Sequence, residues 1–414
     1  MLNKIMKKRI KAVIFLFMAT ASLFAISSIY SANHNPMLIE DTKEINSQQV
    51  SPQKLFETTW QTIKNEYFDS TYNSQYWNKW KYRYKNKVKT IDDAKVVIDT
   101  MLESLEDPYT RFLTRDEFIE QNNSILSKLS GIGVNIINDS GKIKILNVME
   151  NTPAQFADIK VNDILMAVDD VKVSGLTLAE VSNLVKGPVN TFVELELLRG
   201  GELIKKRIIR KEITIKTVKS SVMKNIGYIQ ISSFISNSTP NEFIEALENT
   251  EKTDGLIIDL RGNTGGLLPN AVFISNIFIP EGKIVSIVGR NGYKYDILAQ
   301  DNEMNIKKPI VLLVDKTSAS ASEIFSAAMK DYNKAKIIGT KTFGKGLVQK
   351  IIPMPNETGL NLTVAKYITP KGNDINKIGI EPDVYIKLTK SDFQNKKDTQ
   401  LEKAKEVVQE MINN

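Results

Sequence analysis

Apolar residues recur at helical spacing in two stretches that precede the main body of the chain. Four of them after Pro52 share one helix face: Phe56, Trp60, Ile63 and Tyr67. A second run, from Ala94 to Leu105, repeats intervals of three and four residues, which is typical of an amphipathic helix. Asp107-Pro108 then interrupts the pattern, because the residue before a proline disfavours helix. The spacing predicts a helical N-terminal region over residues 51–126.

The pattern changes to short strands in the middle of the chain. The stretches GVNIIN and KIKILNVM alternate apolar and polar residues, and Gly200-Gly201 predicts a hairpin turn. From residue 213 onward, apolar strands alternate with helical segments, which predicts an α/β core over residues 213–390. A charged tail, residues 391–414, has helical character and is expected to pack on this core or on a second subunit. The predicted fold class is therefore α+β.

One stretch of the core combines residue types that can carry chemistry. The buried-type strand Ile310–Val314 is followed by small hydroxyl residues and then by an amphipathic helix. A second apolar strand leads to Lys345, which lies between two glycines. Unpaired N–H groups at a helix start favour an alkoxide and the oxyanion that it creates. The arrangement predicts a serine at a helix start and a lysine on the next strand.

Composition limits the bases that could activate such a serine. The chain has one histidine, His34, and no cysteine, and His34 lies just after an apolar N-terminal segment. A Ser-His-Asp triad and a thiol nucleophile are therefore excluded. A lysine can serve as the base if burial keeps it neutral. The alternative, a helix-capping serine and a solvated lysine, stays open at this point.

Three motifs in a fixed order carry a family resemblance: DLRGNTGG, SASASE and TFGKGLVQ. With them, the chain after about residue 50 resembles the C-terminal processing peptidases, which are serine proteases with a Ser–Lys dyad and an inserted PDZ domain. The resemblance implies a crotonase/ClpP-like α/β protease core. It places the nucleophile on Ser320, the general base on Lys345 and a supporting amide on Gln349.

The same resemblance assigns the oxyanion hole. Its donors would be the backbone N–H groups of Gly266, or Gly265, and of Ala321, which follows the nucleophile. The glycine-rich turn has no GxxxxGK[ST] pattern, so a nucleotide site is not indicated. If Lys345 and Gln349 belong to one extended strand, their side chains share a face, and the amide can hold the amine in place.

Residues 127–212 resemble a PDZ domain, which binds an extended peptide beside an edge strand. The GIGV loop, formed by Gly131, Ile132, Gly133 and Val134, would bind the terminal carboxylate through its N–H groups. Three apolar residues on the second helix either line the peptide pocket or pack in the core: Leu178, Val181 and Val185. Lys186 replaces the arginine that is frequent in the family, so an arginine-specific contact is not expected there.

The net charge and the N-terminus bear on location and partners. Residues 1–11 contribute five positive charges, so the formal charge of +7 leaves +2 (7 − 5) for the rest, and no nucleic-acid partner is predicted.

Residues 12–30 carry no charge and follow a basic start, which predicts an export signal or a single membrane anchor. Residues 31–50 are interpreted as a linker that tethers the folded part of the chain. The remainder is expected on the extracytoplasmic face of the cell membrane, or secreted.

No metal or other cofactor is expected. Three acidic residues near the motifs lack ligand spacing, so a metal site is not predicted there: Asp259, Glu323 and Asp331. Glu323, in the first helical turn, and Asp331, at the helix end, are interpreted as structural, and either can still shape the site. The predicted function is a serine endopeptidase that acts on exported proteins with unstructured, apolar C-terminal tails. Whether the protein forms a homodimer stays open. Two rivals are a catalytically silent PDZ adaptor tethered to the membrane and a crotonase-type acyl-transferring enzyme. The latter requires a coenzyme A site, for which the sequence has no feature.

Overall fold

The chain folds into two units. The computed structural model describes residues 48–125, 128–214, 216–301, 304 and 306–414. One unit comprises the described residues up to Asn122 together with Thr217–Asn414, and the other comprises Asn123–Lys216. No helix in these described ranges has the length and apolar character needed to cross a bilayer. The predicted signal or anchor, residues 12–30, lies outside them.

The N-terminal region is helical, as predicted. Its elements are α1 (Pro52–Glu66), α2 (Asn78–Arg83), α3 (Ile91–Glu103), β1 (Arg111–Leu113) and α4 (Arg115–Ile125). Ser51 caps α1, and Thr90 with Asp93 forms a capping box at the start of α3. The helices enclose an aromatic cluster that includes Trp60, Trp77 and Trp80. This cluster continues onto the core, because Leu360 and Leu362 belong to it.

The second unit is rich in strands. Its elements are β2 (Lys128–Gly131), β3 (Val134–Asp139), β4 (Lys142–Val148), α5 (Pro153–Phe156), β5 (Ile164–Val168), β6 (Val171–Lys172), α6 (Leu178–Val185), β7 (Phe192–Arg199), β8 (Glu202–Ile209) and β9 (Lys211–Thr214). The main sheet has the order β3-β4-β5-β7-β8, so β3 is an edge strand, and β2 pairs with β9. The Arg210 guanidinium donates to the carbonyl oxygens of Leu184 and Val185 at the end of α6, which satisfies groups that a helix terminus leaves unpaired.

The core unit alternates strands and helices. Its elements are β10 (Val218–Met223), β11 (Ile226–Ile231), α7 (Thr239–Asn249), β12 (Gly255–Asp259), α8 (Leu268–Phe278), β13 (Lys283–Gly289), a 3-10 turn (Arg290–Gly292), β14 (Lys294–Leu298), β15 (Ile310–Val314), α9 (Ala321–Asp331), β16 (Lys336–Gly339), β17 (Leu347–Pro353), β18 (Gly359–Ile368), β19 (Val384–Tyr385), α10 (Lys390–Gln394) and α11 (Thr399–Asn413). Helix and sheet alternate here as the sequence pattern predicts.

Two sheets organise the core. The first has the order β10-β11-β12-β15-β16-β19, and its strands from β11 to β19 are parallel. Strands β12 and β15 are buried along their whole length, as expected for parallel strands covered on both faces. The second sheet, β1-β18-β13-β14 with β17 paired to β18, is antiparallel.

Helices cover the parallel sheet from both sides. Helices α7, α8 and α9 contribute to the larger apolar cluster. On the other face, Ala404 and Val408 of α11 pack against the sheet through Ile257, Val311 and Leu313. The charged tail therefore packs on its own core, which was one of the two outcomes expected. The mixed helix and sheet architecture confirms the predicted fold class.

Candidate active site

Ser320 occupies the junction between the buried strand β15 and helix α9. It stands immediately before the first helical residue, Ala321, and its backbone has φ +56° and ψ −117°. A non-glycine residue adopts this region at a cost of about 1–3 kcal/mol, and such residues cluster at functional sites. The side chain is half-buried. Ser320 thus stands at a helix N-terminus, as the sequence predicts, in a backbone conformation that the sequence does not reveal.

Glu323, one turn into α9, binds the backbone on both sides of the site. Its side chain is fully buried. Oε1 accepts hydrogen bonds from Thr342 Oγ1 (2.6 Å) and the Gly344 N–H (2.7 Å). Oε2 accepts from the N–H groups of Ser320 (2.9 Å) and Lys345 (2.8 Å). One carboxylate therefore fixes the spacing between the serine turn and the lysine loop.

Lys345 lies in a loop, which corrects the prediction that it belongs to a strand. Strand β17 begins only at Leu347. The flanking glycines allow the loop to approach a neighbouring segment closely. A β-carbon on Gly344 would lie 3.0 Å from the backbone nitrogen of Gly379, and one on Gly346 would lie 2.6 Å from that of Asn376. Larger residues would push the loop outward, so the glycines hold Lys345 at the site.

The amine of Lys345 lies over an aromatic ring. Nζ is 4.5 Å from the centroid of the Tyr109 ring. Burial lowers the pKa of Lys345, and the attraction of Asp107 and Glu323 raises it, with a net pKa below the ordinary lysine value. A lysine with a lowered pKa is neutral in a larger fraction of molecules at a given pH, which a general base requires.

Ser320 and Lys345 are linked through a buried tyrosine. The Tyr367 hydroxyl donates a hydrogen bond to the Lys345 carbonyl oxygen, and a hydrogen bond from the Ser320 side chain offsets part of the effect of burial on the pKa of Tyr367. Burial raises the pKa of Tyr367 well above its ordinary value, so this hydroxyl keeps its proton. No direct hydrogen bond joins Ser320 Oγ to the Lys345 amine in the described part of the chain.

Gln349 does not hold the amine in this conformation. Its Nε2 donates to Thr363 Oγ1 at 3.4 Å, across the pair of strands β17 and β18. The expectation of a shared face assumed an unbroken strand. Lys345 precedes the strand, and a bulge between Val348 and Gln349 shifts the register, so simple alternation does not apply. Gln349 still lies in the strand that directly follows the lysine loop.

Two backbone N–H groups near Ser320 have no protein acceptor among the residues that the structure describes. Neither Gly266 nor Ala321 donates a hydrogen bond within the described residues, whereas the Gly265 N–H donates to Asn263 Oδ1 (2.9 Å). The two loops touch, since a β-carbon on Gly265 would lie 2.9 Å from the Ala321 nitrogen and 2.8 Å from Ser320 Cβ. Of the two glycines considered, Gly266 is therefore the one with a free donor.

The GIGV loop of the second unit has a similar pair of donors. In the described chain, the N–H groups of Ile132 and Gly133 donate to no protein acceptor. Gly133 has φ +87°, and a β-carbon there would lie 2.4 Å from the Thr152 side chain, so only glycine fits. Val134 begins β3. The loop thus combines free donors with an adjacent edge strand, and Gly131 ends the strand that precedes it.

The three apolar residues of α6 divide into two groups. Val181 and Val185 belong to the core cluster of the unit and are almost fully buried, while Leu178 is exposed. Leu178 is therefore the one among them with apolar surface available to a ligand. Lys186 follows the last residue of α6.

The other two acidic residues near the motifs have structural partners. Asp259 accepts hydrogen bonds from the Tyr228 hydroxyl (2.7 Å) and the Arg261 guanidinium (2.7 Å). Arg261 also pairs with Asp398 and so connects the core to the tail helix. Asp331 accepts from the Lys371 N–H at 2.8 Å. The contact of Asp331 agrees with the structural interpretation made from the sequence.

Sequence reasoning missed two aromatic residues of the site. Sequence patterns assign no role to Tyr109, which follows the Asp107-Pro108 interruption, or to Tyr367. The sequence places them more than 230 residues from Lys345 and 22 residues from it, respectively. The pairing of β1 with β18 and of β17 with β18 brings these segments together. No local pattern in the sequence marks either residue as part of the site.

Comparison with known proteins agrees with the geometry. Residues 225–386 match peptidase family S41, and residues 130–209 match the PDZ domain. A carboxyl-terminal-processing protease of Synechocystis sp. is 32% identical over 382 residues, which cover 89% of this chain and 87% of that protein. The carboxy-terminal processing protease CtpA of Bacillus subtilis is 38% identical over 307 residues, 72% of this chain and 66% of that protein.

Solved structures show the same relationship. The photosystem II D1 C-terminal processing protease superposes with a TM-score of 0.55 at 30% identity, covering 82% of this chain and 94% of that one. The tricorn protease superposes with a TM-score of 0.53 at 18% identity, covering 88% of this chain and 37% of that one, and this second likeness concerns the fold alone. The chain described here belongs to peptidase family S41 and is a serine peptidase of the carboxyl-terminal processing type with a PDZ domain.

Proposed function

We propose that Ser320 and Lys345 form the catalytic dyad of this peptidase. The neutral Lys345 amine takes the proton of Ser320 Oγ as the oxygen attacks the peptide carbonyl carbon. The resulting ammonium gives that proton to the leaving amine, and an acyl-enzyme remains. A water molecule, deprotonated by the same amine, then hydrolyses the ester. The flexible four-carbon stem of the lysine allows Nζ to reach Oγ from its position over Tyr109.

The oxyanion of each tetrahedral intermediate is assigned to the N–H groups of Gly266 and Ala321. Both lack a protein acceptor within the described chain, and Gly266 is exposed, so a substrate can reach it. Donors held in place before the reaction stabilise the developing charge without reorganisation. Gln349 is assigned a supporting role, in which its amide accepts a hydrogen bond from the ammonium when the side chain leaves Thr363.

The observation that carries the proposal is the single buried carboxylate that binds the backbone of both Ser320 and Lys345. A capping serine and a solvated lysine would need no such connection. The test is digestion of a loosely folded protein by wild type, Ser320→Ala and Lys345→Ala, with fragments identified by mass spectrometry. Fragments from wild type alone support the dyad. Equal fragmentation by either variant contradicts it.

We further propose that the PDZ domain selects substrates by an apolar C-terminal tail. The tail would pair with the edge strand β3, its carboxylate would bind the N–H groups of Ile132 and Gly133, and Leu178 would contact its last side chain. A substrate with a free C-terminal carboxylate should then be cleaved faster than the same substrate with a C-terminal amide. Equal rates would contradict tail recognition. Tail binding without any cleavage by wild type would favour the alternative of a silent PDZ adaptor.

The proposed place of action is outside the cytoplasm. Residues 12–30 are uncharged and follow a basic start, a pattern typical of an export signal or a membrane anchor. The substrates would accordingly be exported proteins. Fractionation of cells that produce the full chain, with protease added to intact spheroplasts, tests this assignment. Resistance of the protein to digestion until the membrane is broken would contradict it.

A further inference from the structure

The DPYT turn, Asp107 to Thr110, joins the N-terminal helices to the sheet that carries the lysine loop. The turn is held by its own aspartate, because Asp107 Oδ1 accepts the Tyr109 N–H (3.0 Å) and Oδ2 accepts the Thr110 hydroxyl (2.6 Å). Hydrogen bonds of this kind define a turn that restricts its backbone. The backbone conformation at Tyr109 is therefore set within the turn.

The turn is also hydrogen-bonded to the second sheet of the core, which contains β17 and β18. The Thr363 N–H donates to Thr110 Oγ1 at 3.0 Å, and Thr110 is buried. Beyond the turn, β1 pairs with β18 in antiparallel register, with Arg111 opposite Asn361. Thr363 is the residue that also accepts from Gln349. The turn thus has a defined position relative to the strands that follow and flank the lysine loop.

From this position Tyr109 covers the Lys345 amine. Nζ lies 4.5 Å from the ring centroid, and both side chains are half-buried. A flat apolar ring at this distance removes water from one side of the amine. An ammonium over a ring face is attracted to it, while the loss of water disfavours the charge. At this site burial is the larger influence on Lys345.

We propose that Tyr109 is a positioning residue for the general base, which covers the Lys345 amine and holds it beside the serine turn. This inference rests on the proposed dyad. It assigns the N-terminal helical region a part in forming the protease site, in addition to its structural role. Four ionisable groups face the lysine from the elements around it: Asp107 and Tyr109 from the turn, Glu323 from α9 and Tyr367 from β18.

The test compares Tyr109→Phe and Tyr109→Ala with wild type in the full-length chain. The kinetic constants kcat and KM are measured as a function of pH with an unfolded protein substrate. Tyr109→Phe keeps the ring and should keep the wild-type pH profile. Tyr109→Ala opens the amine to water, so the acid limb of kcat/KM should move to higher pH. At a fixed pH below the limb, each pH unit of this shift lowers kcat/KM about tenfold, and KM stays unchanged.

A matched control is Tyr82→Ala, because Tyr82 lies in the same helical region and is 65% exposed. Its profile should equal that of wild type. If Tyr109→Ala fails to fold, Tyr109→Gln replaces it, since glutamine keeps much of the side-chain volume and admits water. A wild-type pH profile for folded Tyr109→Ala or Tyr109→Gln would overturn the inference.

The same assay separates this inference from the dyad itself. Activity in Ser320→Ala or Lys345→Ala would refute the proposed function, and the role of Tyr109 would fall with it. Inactive Ser320→Ala and Lys345→Ala beside a Tyr109→Ala variant with the wild-type profile would refute the role of Tyr109 alone.

Discussion

Ser320 and Lys345 donate their backbone N–H groups to the same oxygen atom, Oε2 of Glu323. The two residues are 25 positions apart in the chain (345 − 320), yet one buried carboxylate sets the distance between their backbones. The other oxygen of Glu323 binds Thr342 and Gly344, which lead into the lysine loop. Glu323 therefore connects the backbones of the two residues proposed as the catalytic dyad.

Replacement of Glu323 by glutamine should impair catalysis. The amide presents a donor where the carboxylate accepts two hydrogen bonds, so two N–H or hydroxyl groups lose their acceptor. Each hydrogen bond to a charged group contributes about 1.5–3 kcal/mol, so each bond lost corresponds to a loss of kcat/KM of roughly ten- to a hundredfold. Asp331→Asn is the control, since Asp331 accepts one backbone N–H at the far end of the same helix. Wild-type kcat/KM for Glu323→Gln would contradict the account.

The pH dependence of activity should follow Lys345. Burial lowers its pKa, and Asp107 and Glu323 offset part of that effect. Because the ammonium cannot accept a proton, kcat/KM should rise with pH through the lowered pKa, at a midpoint below the ordinary lysine value of 10.5. Lys345→Arg should be inactive at every pH, since arginine stays charged. A midpoint at or above the ordinary value would argue against a buried lysine base.

Alanine at two neighbouring glycines should have different effects. Gly262 (φ +74°) and Gly265 (φ +100°) both have a positive φ, so alanine strains either position by about 1–2 kcal/mol. A β-carbon on Gly262 meets nothing within 4 Å, whereas one on Gly265 lies 2.6 Å from the Ala319 carbonyl oxygen. Gly262→Ala should keep its kcat/KM, and Gly265→Ala should lose most of it. Similar kcat/KM values for the two variants would show that contact with the serine turn is unimportant.

Asp163 should make the PDZ unit sensitive to acid. The residue is 1% exposed, and its carboxylate accepts two hydrogen bonds of 2.7 Å from Arg199. Burial raises the pKa of Asp163, but the bonds from Arg199 outweigh burial and leave the pKa below its ordinary value. A group with a depressed pKa stabilises the fold above its unfolded-state pKa, and this contribution is lost as the pH falls through the folded-state pKa.

Asp163→Asn should therefore lower the free energy of unfolding at neutral pH, by roughly 1.5–3 kcal/mol, and flatten its dependence on pH in the acid range. Hydrogen exchange of the β5 and β7 amides measures this for the PDZ unit by itself. Asp139→Asn is a suitable control, because Asp139 pairs with Lys144 in an exposed ion pair that contributes little. Equal acid sensitivity of wild type and Asp163→Asn would contradict the prediction.

Local patterns predicted much of this molecule from sequence. Apolar spacing located α1 and α3, and unbroken apolar runs located β12 and β15, because burial imposes those patterns directly. The small hydroxyl residues before α9 located Ser320 at the start of that helix. The strand assignment of Lys345 failed because a bulge and a glycine-rich loop interrupt the alternation near Gln349.

Local sequence patterns do not predict contacts between distant segments of the chain. Nothing near Tyr109 in the sequence indicates that its ring covers Lys345, since that contact depends on how β1 pairs with β18. Glu323 was interpreted as structural, but its four hydrogen bonds could not be foreseen. Long-range strand pairing sets the contact of Tyr109 with Lys345, and the intervening PDZ unit separates these two residues along the chain.

The central claim is that Ser320 is a nucleophile activated by Lys345, and labelling with a serine-directed fluorophosphonate tests it most directly. The reagent forms a covalent bond to an activated serine, and peptide mapping locates the modified residue. The account predicts modification of Ser320 in wild type, a rate that rises with pH, and strongly reduced labelling in Lys345→Ala. Modification of another residue, or equal labelling of Lys345→Ala, would contradict it.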